Sequence, residues 1–271
     1  MSGPSPAGPD GAGPDHERPG RMVMVVPTYN EAENIQWIVE RTLVAVKDTD
    51  VLIVDDGSPD GTGGLADDLA ARHDRVSVLH RTEKAGLGAA YLHGFAVALE
   101  RGYSVIGEMD ADGSHQPEQL PALVDALADA DLVIGARWVR GGSVVNWSTF
   151  RKALSVGGNT YARLLLGIPV RDVTAGFRLF RASTLQAIDL ATVQSVGYCF
   201  QADLTVRTLR AGRTVTEVPI EFLERIRGES KMNSEVATES LRRITAWGLQ
   251  HRAAQVRGAL TWRPRREGAV R

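Results

Sequence analysis

Residues 103–118 read YSVIGEMDADGSHQPE. The run from Tyr103 to Gly107 is mostly apolar, and it stops abruptly in Glu108, Asp110 and Asp112, followed by Gly113 and Pro117. A short apolar run bounded by Gly and Pro predicts a strand covered on both faces, here with a polar turn at its end. Strand side chains alternate with period two, so Asp110 and Asp112 can point the same way. Two carboxylates held close resist joint ionisation unless a cation lies between them. A hard divalent ion such as Mg²⁺ or Mn²⁺ meets that need and also takes phosphate oxygens from a ligand. A bare D-x-D is nevertheless common, and aspartates that only cap the following helix give the same pattern.

The same transition recurs along the chain. RMVMVV (21–26) stops at Pro27, DVLIVDD (50–56) runs into GSPDGTGG, and RVSVLH (75–80) and DLVIGAR (131–137) are further strands. Between them lie segments with apolar residues at helical spacing: 31–46 (with Ile35, Ile38, Val39 and Leu43), 65–73, 86–102 and 116–130. Strand and helix in repeated alternation predict an α/β, Rossmann-like fold, a mostly parallel sheet with helices on both faces. Ligands of such open sheets sit at the carboxyl ends of the strands. Pro27–Glu31, Asp55–Asp60 and Asp110–Asp112 therefore come to one rim, although they are far apart in sequence.

The totals set the frame. The 271 residues, 43% of them hydrophobic, suffice for one large domain or two small ones. The single cysteine, Cys199, excludes an internal disulfide. No apolar run approaches the roughly 18 residues of a spanning helix, and no signal peptide opens the chain. Residues 1–20, rich in Pro and Gly, are expected to be a disordered leader. From Arg225 onward there are 11 Lys/Arg against 4 Asp/Glu, a basic end on an acidic body, which suits an anionic surface partner. A helix is expected over about 234–257, where Leu241, Ile244, Trp247 and Leu249 recur among Arg242, Arg243, Arg252 and Arg257. It either docks on a membrane surface or packs back on the domain. The resulting division is a leader (1–20), a catalytic domain (21–233), and a C-terminal amphipathic helix with a basic tail (234–271).

From Arg137 the rhythm loosens. WVRGGSVVNW (138–147) reads as a loop, 149–167 as a long helix, 172–188 as turn, strand and helix, 200–212 as a helix, and TVTEVPIEFLER (214–225) as one strand. Arg137, Arg140, Arg151, Lys152, Arg163, Arg171, Arg178, Arg225, Arg227 and Lys231 could together bind an anionic acceptor, though each alone suits a surface charge. Asp56 can accept from a ribose or base; the alternative for this turn is that its Asp60 and Thr62 simply cap the next helix. Tyr29 can pack on a base or equally serve as a core residue of the rim. EKAGLGAA (83–90) lacks the Walker pattern and is a weak phosphate cradle. The acidic turns echo a calcium loop, but the twelfth positions, Gln119 and Asp67, are not the Glu such loops use.

Taken in order, VVPTYNEAENI, LIVDDGSPDGT, EKAGLGAA, MDADGSHQPE, LVIGAR, DVTAGFRLF and RIRGESKM resemble the glycosyltransferase family 2 enzymes of GT-A fold, over about residues 21–235. Within that family the chain looks like the polyprenol (dolichyl) monophosphate mannosyltransferases. The resemblance implies inverting transfer of mannose from GDP-mannose to a polyprenyl or dolichyl phosphate, giving a β-linked mannosyl phosphate. It implies a divalent metal, Mg²⁺ or Mn²⁺, on Asp110 and Asp112. It implies a nucleotide-sugar pocket from Pro27, Tyr29, Glu31, Val54, Asp56, Lys84, Asp110, Ala111, Asp112, Arg137 and Lys231. Arg137 and Arg151 match residues near the acceptor phosphate, Lys231 lies in a loop that closes over the donor, and Asp172 lies in the D-x-T-x-G-F-R turn. Relatives often carry Gln where this chain has Ser114. The expected setting is peripheral, at the cytoplasmic face of a membrane, with a separate anchoring subunit as a candidate partner and no nucleic acid. A UDP-glucose-dependent enzyme on the same lipid, and a non-catalytic sugar-nucleotide- or calcium-binding module, are the alternatives.

Overall fold

The computed structural model describes residues 20–82, 84–193, 198–225, 242 and 244–249. Strands β1 (Met22–Thr28), β2 (Thr49–Asp55), β3 (Val76–His80), β4 (Val105–Glu108) and β5 (Leu132–Ala136) form where the apolar runs stand. With β7 (Arg178–Arg181) and β8 (Val215–Pro219) they make a seven-stranded sheet in the order β3-β2-β1-β4-β7-β5-β8. Only β7 runs antiparallel to its neighbours. Helices α1 (Ile35–Ala45), α2 (Thr62–Arg72), α3 (Leu87–Glu100) and α4 (Leu120–Ala126) occupy the predicted helical segments, followed by α5 (Thr149–Leu166), α6 (Ala182–Ala187) and α7 (Tyr198–Arg210).

Period-two alternation sorts each strand between two cores. On one face Val23, Val25, Leu52, Val54 and Ile106 pack with Tyr91 and Phe95 of α3. On the other, Met24, Val26, Val51, Ile53 and Val105 pack with Ile35 and Ile38 of α1 and Leu120 of α4. At about 25 cal/mol per Å², two such layers supply the main favourable contribution to folding. Gly94 lets α3 settle on the sheet, since a Cβ there would lie 2.5 Å from Val25 Cγ1.

The chain departs in one direction from β1 to β2 and β3 and in the other to β4, so the β1/β4 junction is the topological switch point. The rim loops after β1, β2 and β4 all meet there. The sequence-based expectation of one strand over 214–225 is corrected. Pro219 lacks an N–H to continue the ladder, and the chain changes sheet at Ile220, whose N–H bonds Ala136 O while its carbonyl accepts from Ser143 N. Beyond it β9 (Glu221–Leu223) pairs in parallel with β6 (Ser143–Val145), a strand inside the segment expected to be a loop.

Of the expected C-terminal helix, 244–249 are helical and pack on α5: Ile244 is buried, Thr245 Oγ1 lies 2.8 Å from Tyr161 Oη, and Gly248 sits against Leu165. The rest of 234–271, apart from Arg242, and residues 1–19 of the expected leader lie outside the described residues. No helix among the described residues is long and apolar enough to cross a membrane.

Candidate active site

The first two rim loops are braced to each other by short polar side chains. Thr28 Oγ1 donates to Asp55 (3.0 Å), and the backbone N–H groups of Asn30, Glu31 and Ala32 donate to Ser58 Oγ (3.0 Å), Thr62 Oγ1 (3.0 Å) and Asp60 (3.1 Å). Asp60 also accepts from Thr62 N and Oγ1, at 3.0 and 2.6 Å. Asp60 and Thr62 therefore build the rim rather than line it.

Pro27 and Val54 are register partners across β1 and β2. The Val54 side chain is wholly buried under α3, so a ligand can reach this position only through its backbone. Asp56 is buried and accepts from Arg81 Nη1 at 2.5 Å; burial raises its carboxyl above the usual range, and Arg81 opposes the rise. Lys84 Nζ stands 3.7 Å above the Tyr29 ring, so the residues expected to flank a nucleotide form a cation–π pair.

The third loop carries the acidic pair. Gly113 makes its turn with φ +75°, and an added Cβ would strike the Trp37 ring. Asp110 accepts from Tyr91 Oη at 3.3 Å, and Ala111 is buried between the two aspartates. Asp112 accepts from Ser114 N (3.0 Å) and Ser114 Oγ on one oxygen, and from Arg225 Nε (3.0 Å) and Nη2 (2.7 Å) on the other. Arg225 Nη1 also lies 3.6 Å from Glu31 Oε1. Burial and the neighbouring Asp112 charge raise the Asp110 carboxyl. Burial pushes Asp112 the same way, but the Ser114 hydrogen bonds and Arg225 hold it below its ordinary value. The pair repels itself and has recruited a protein cation, the donor chemistry a hard divalent ion requires. Among the described residues no cluster of three or more His, Cys, Asp or Glu side chains is disposed to hold a metal. Ser114 Oγ is committed to Asp112.

Two neighbours of the pair are core groups. Glu108 is fully buried opposite Arg178 in the β4–β7 register, and burial pushes its carboxyl up to about 8 against the Arg178 charge. It is a neutral acid under the site, not a third member of the pair. Burial likewise lowers His115 to about 4, and His115 Nδ1 accepts from the Asp110 N–H at 3.2 Å. Arg178 is corrected from surface cation to buried strut. It donates to the carbonyls of Ala175 (2.6 Å), Val173 (2.8 Å) and Gln201 (2.9 Å) and to Thr205 Oγ1 (3.0 Å), pinning the 172–177 turn.

Across the cleft stands the cationic half. Arg137 is buried and grips Asp172 in a fork, Nε–Oδ2 2.8 Å and Nη2–Oδ1 2.7 Å, while its own N–H donates to Oδ2 at 2.7 Å. Arg151, exposed at the start of α5, pairs with Glu224 at 2.7 Å and lies 4.0 Å over the Trp147 ring. Trp147 packs edge-on to Phe222 (5.5 Å), which packs edge-on to His115 (5.3 Å). An aromatic wall thus joins the acidic pair to the two arginines. The indole N–H of Trp147 is buried without a hydrogen-bond partner among the described residues.

Sequence reasoning assigned site roles to Asp110, Asp112, Arg137 and Arg151 and gave none to Trp147, Phe222, Glu224 or Arg81. Arg225 stood only as one of ten scattered cations. The ribbon explains its position: Leu223 N donates to Ser114 O (3.0 Å) and Glu224 N to Val145 O (3.2 Å), which carries Arg225 to Asp112. The one available signal was the Pro-interrupted alternation of 214–225. Lys231 and Arg227 lie outside the described residues.

The glycosyl transferase family 2 model matches residues 23–189. The chain is 53% identical over 240 residues to undecaprenyl-phosphate mannosyltransferase of Micrococcus luteus, covering 89% of this chain and 99% of that protein. It is 54% identical over 242 residues to polyprenol monophosphomannose synthase of Mycolicibacterium smegmatis, covering 89% and 91%. Among solved structures, glucosyl-3-phosphoglycerate synthase of Mycobacterium tuberculosis with Mn²⁺, UDP-glucose and phosphoglyceric acid aligns with a TM-score of 0.61 at 19% identity, over 85% of this chain and 79% of that one. A mannosyltransferase of Pyrobaculum calidifontis with GDP-mannose and Mn²⁺ aligns at 0.56 and 19%, over 92% and 68%. At such identities the structures speak for the fold alone, and that fold is GT-A. With its rim, its acidic pair and these relatives together, the chain belongs to glycosyl transferase family 2.

Proposed function

We propose that this protein transfers mannose from GDP-mannose to a polyprenyl monophosphate. The observation that carries the reading is the division of the cleft: a carboxylate pair that demands a cation on one side, and Arg137 and Arg151 on the other, joined by one aromatic wall. The choice of mannose and lipid rests on the two relatives that share more than half their residues with this chain. The Pyrobaculum neighbour, solved in complex with GDP-mannose and Mn²⁺, supports the donor and the ion.

Asp110 and Asp112 are the residues that would hold the metal, with the donor's phosphate oxygens completing its shell. Bound there, a divalent ion neutralises the charge that builds on the departing diphosphate. Asp56, Tyr29 and Lys84 face the nucleoside end of the rim. Arg225, at Asp112, is positioned to meet donor phosphate. The acceptor is a phosphate monoester, already anionic at neutral pH, so the site needs no general base. Arg137, fixed by Asp172, and Arg151 offset the repulsion between two anions and hold the acceptor in line. An acceptor oxygen forms the bond to the anomeric carbon, and the bond to the diphosphate breaks with its electron pair on GDP. The buried Trp147 N–H is a further donor on the acceptor side. The isoprenoid tail stays in lipid, so the protein works peripherally at a membrane.

The test is incubation with labelled GDP-mannose or UDP-glucose and a short-chain polyprenyl phosphate, with Mn²⁺ or with chelator. Label is expected in the lipid product only with GDP-mannose and metal. Transfer from UDP-glucose alone would replace the donor assignment, and no turnover with either would overturn the enzymatic reading.

A further inference from the structure

Strand β9 and the residues just after it carry three groups of the cleft: Phe222 on the aromatic wall, Glu224 on Arg151 and Arg225 on Asp112. One edge of β9 faces β6, where Ile220 O accepts from Ser143 N (2.9 Å) and Glu224 N donates to Val145 O (3.2 Å). Left alone, the other edge would be a row of open backbone groups. The acidic loop fills it. Ser114 O accepts from Leu223 N at 3.0 Å. Further on, at the end of the single 3₁₀ turn Pro117–Gln119, the Gln119 side chain takes both backbone groups of Glu221. Its Oε1 accepts from the N–H at 2.8 Å and its Nε2 donates to the carbonyl at 3.1 Å. A carboxamide carries the donor and acceptor of a peptide group, so Gln119 acts as one residue of a third strand.

The far side of the loop is fixed as well. Gln116 Nε2 donates to Gly113 O at 2.8 Å, and its Oε1 accepts from Arg41 Nη2 of α1 at 2.7 Å. Arg41 also donates to Glu118 through Nε at 2.8 Å and lies 4.9 Å from the centre of the Trp37 ring, the ring that packs against Gly113. Gln119 therefore ties the ribbon to a braced support.

Register is what the tie sets. A slip of one residue turns every side chain of a strand to the other face, taking Phe222 off the wall and Arg225 off Asp112. A slip of two keeps the faces but carries Arg225 roughly 6.6 Å along the strand. A two-stranded ribbon is marginal by itself, and β6 and β9 pair over three residues only. We infer that Gln119 is a positioning residue: its side-chain amide holds β9 in the register that delivers Arg225 to the donor's diphosphate. The consequence for the donor rests on the proposed function; the register does not.

The experiment joins hydrogen exchange to GDP binding in Mn²⁺, both on the full chain. Gln119 is half-buried, outside the two cores, so Gln119→Leu is expected to fold. Exchange should quicken in a peptide spanning 219–225 and hold in β1 and β4. Unchanged exchange in 219–225 would overturn the tie. GDP affinity should fall roughly 5–30-fold, as for the loss of one or two hydrogen bonds. Gln119→Glu keeps the length and the acceptor but cannot donate to Glu221 O, so it should lose at least as much. Wild-type affinity in that variant would overturn the proposal. A cycle with Arg225→Gln separates positioning from general support. Because Gln119 acts through Arg225, Gln119→Leu should change GDP affinity by less than about two-fold once Arg225 is gone, and additive losses would overturn the proposal. Failure of wild type to bind GDP, with the exchange difference intact, would sink the proposed donor instead, and the same cycle read with UDP would then decide the role of Gln119.

Discussion

The two halves of the cleft are built differently. The acidic half comes from three loops, each following a parallel strand of the same sheet, the first two cross-braced by Thr28, Ser58, Asp60 and Thr62. The cationic half is gathered from the end of β5, the β6–β9 ribbon, the start of α5 and the 172–177 turn, and ion pairs hold it together. Short polar braces within a regular topology make the first half tolerant of single losses. Long-range charge pairing makes the second half depend on each partner.

The largest expected effect tests that dependence. Asp172→Ala leaves Arg137 buried without its fork, and loss of one partner of a buried pair costs about 3–5 kcal/mol. Urea denaturation should show that loss; a change under about 1 kcal/mol would mean the fork does not hold the cationic half. Next is Asp112→Ala, which removes half of the acidic pair from a rim position. Transfer should fall roughly 100–1,000-fold, as when a group that stabilises developing charge is deleted. Full activity of this variant in chelator would break the assignment of the acidic half.

Arg151→Ala should act on the other side. A charge-assisted hydrogen bond contributes about 1.5–3 kcal/mol, so KM for the lipid phosphate should rise roughly 10–150-fold while GDP affinity holds. Normal acceptor kinetics with lost GDP affinity would place Arg151 on the donor side. Smallest is Trp147→Phe, which keeps the ring between Arg151 and Phe222 and deletes the N–H. Acceptor KM is expected to rise roughly 2–13-fold, the value of one hydrogen bond. An unchanged KM would leave Trp147 as wall only.

By itself the sequence determined the sheet, its parallel strands and the acidic rim. Strand–helix alternation is local, and once a parallel sheet is given, strand ends must share an edge. The rim positions of Asp110 and Asp112 were legible for that reason, as were those of Tyr29 and Asp56. Only the tertiary structure separated Arg178 from Arg151. Both are arginines in polar-looking segments, but β7 inserts between β4 and β5 and buries one, while a Ser148 cap starts α5 and exposes the other. It also decided Glu108, which shares the spacing of the acidic pair but lies inside the sheet, where burial keeps it protonated. And it brought Arg225 to Asp112 across 113 positions of sequence, because Pro219 cannot extend the ladder and the chain crosses to a second, two-stranded sheet. Periodicity reports which face of an element is buried; it carries no information on which distant element covers it, and charge partners are chosen at that second step.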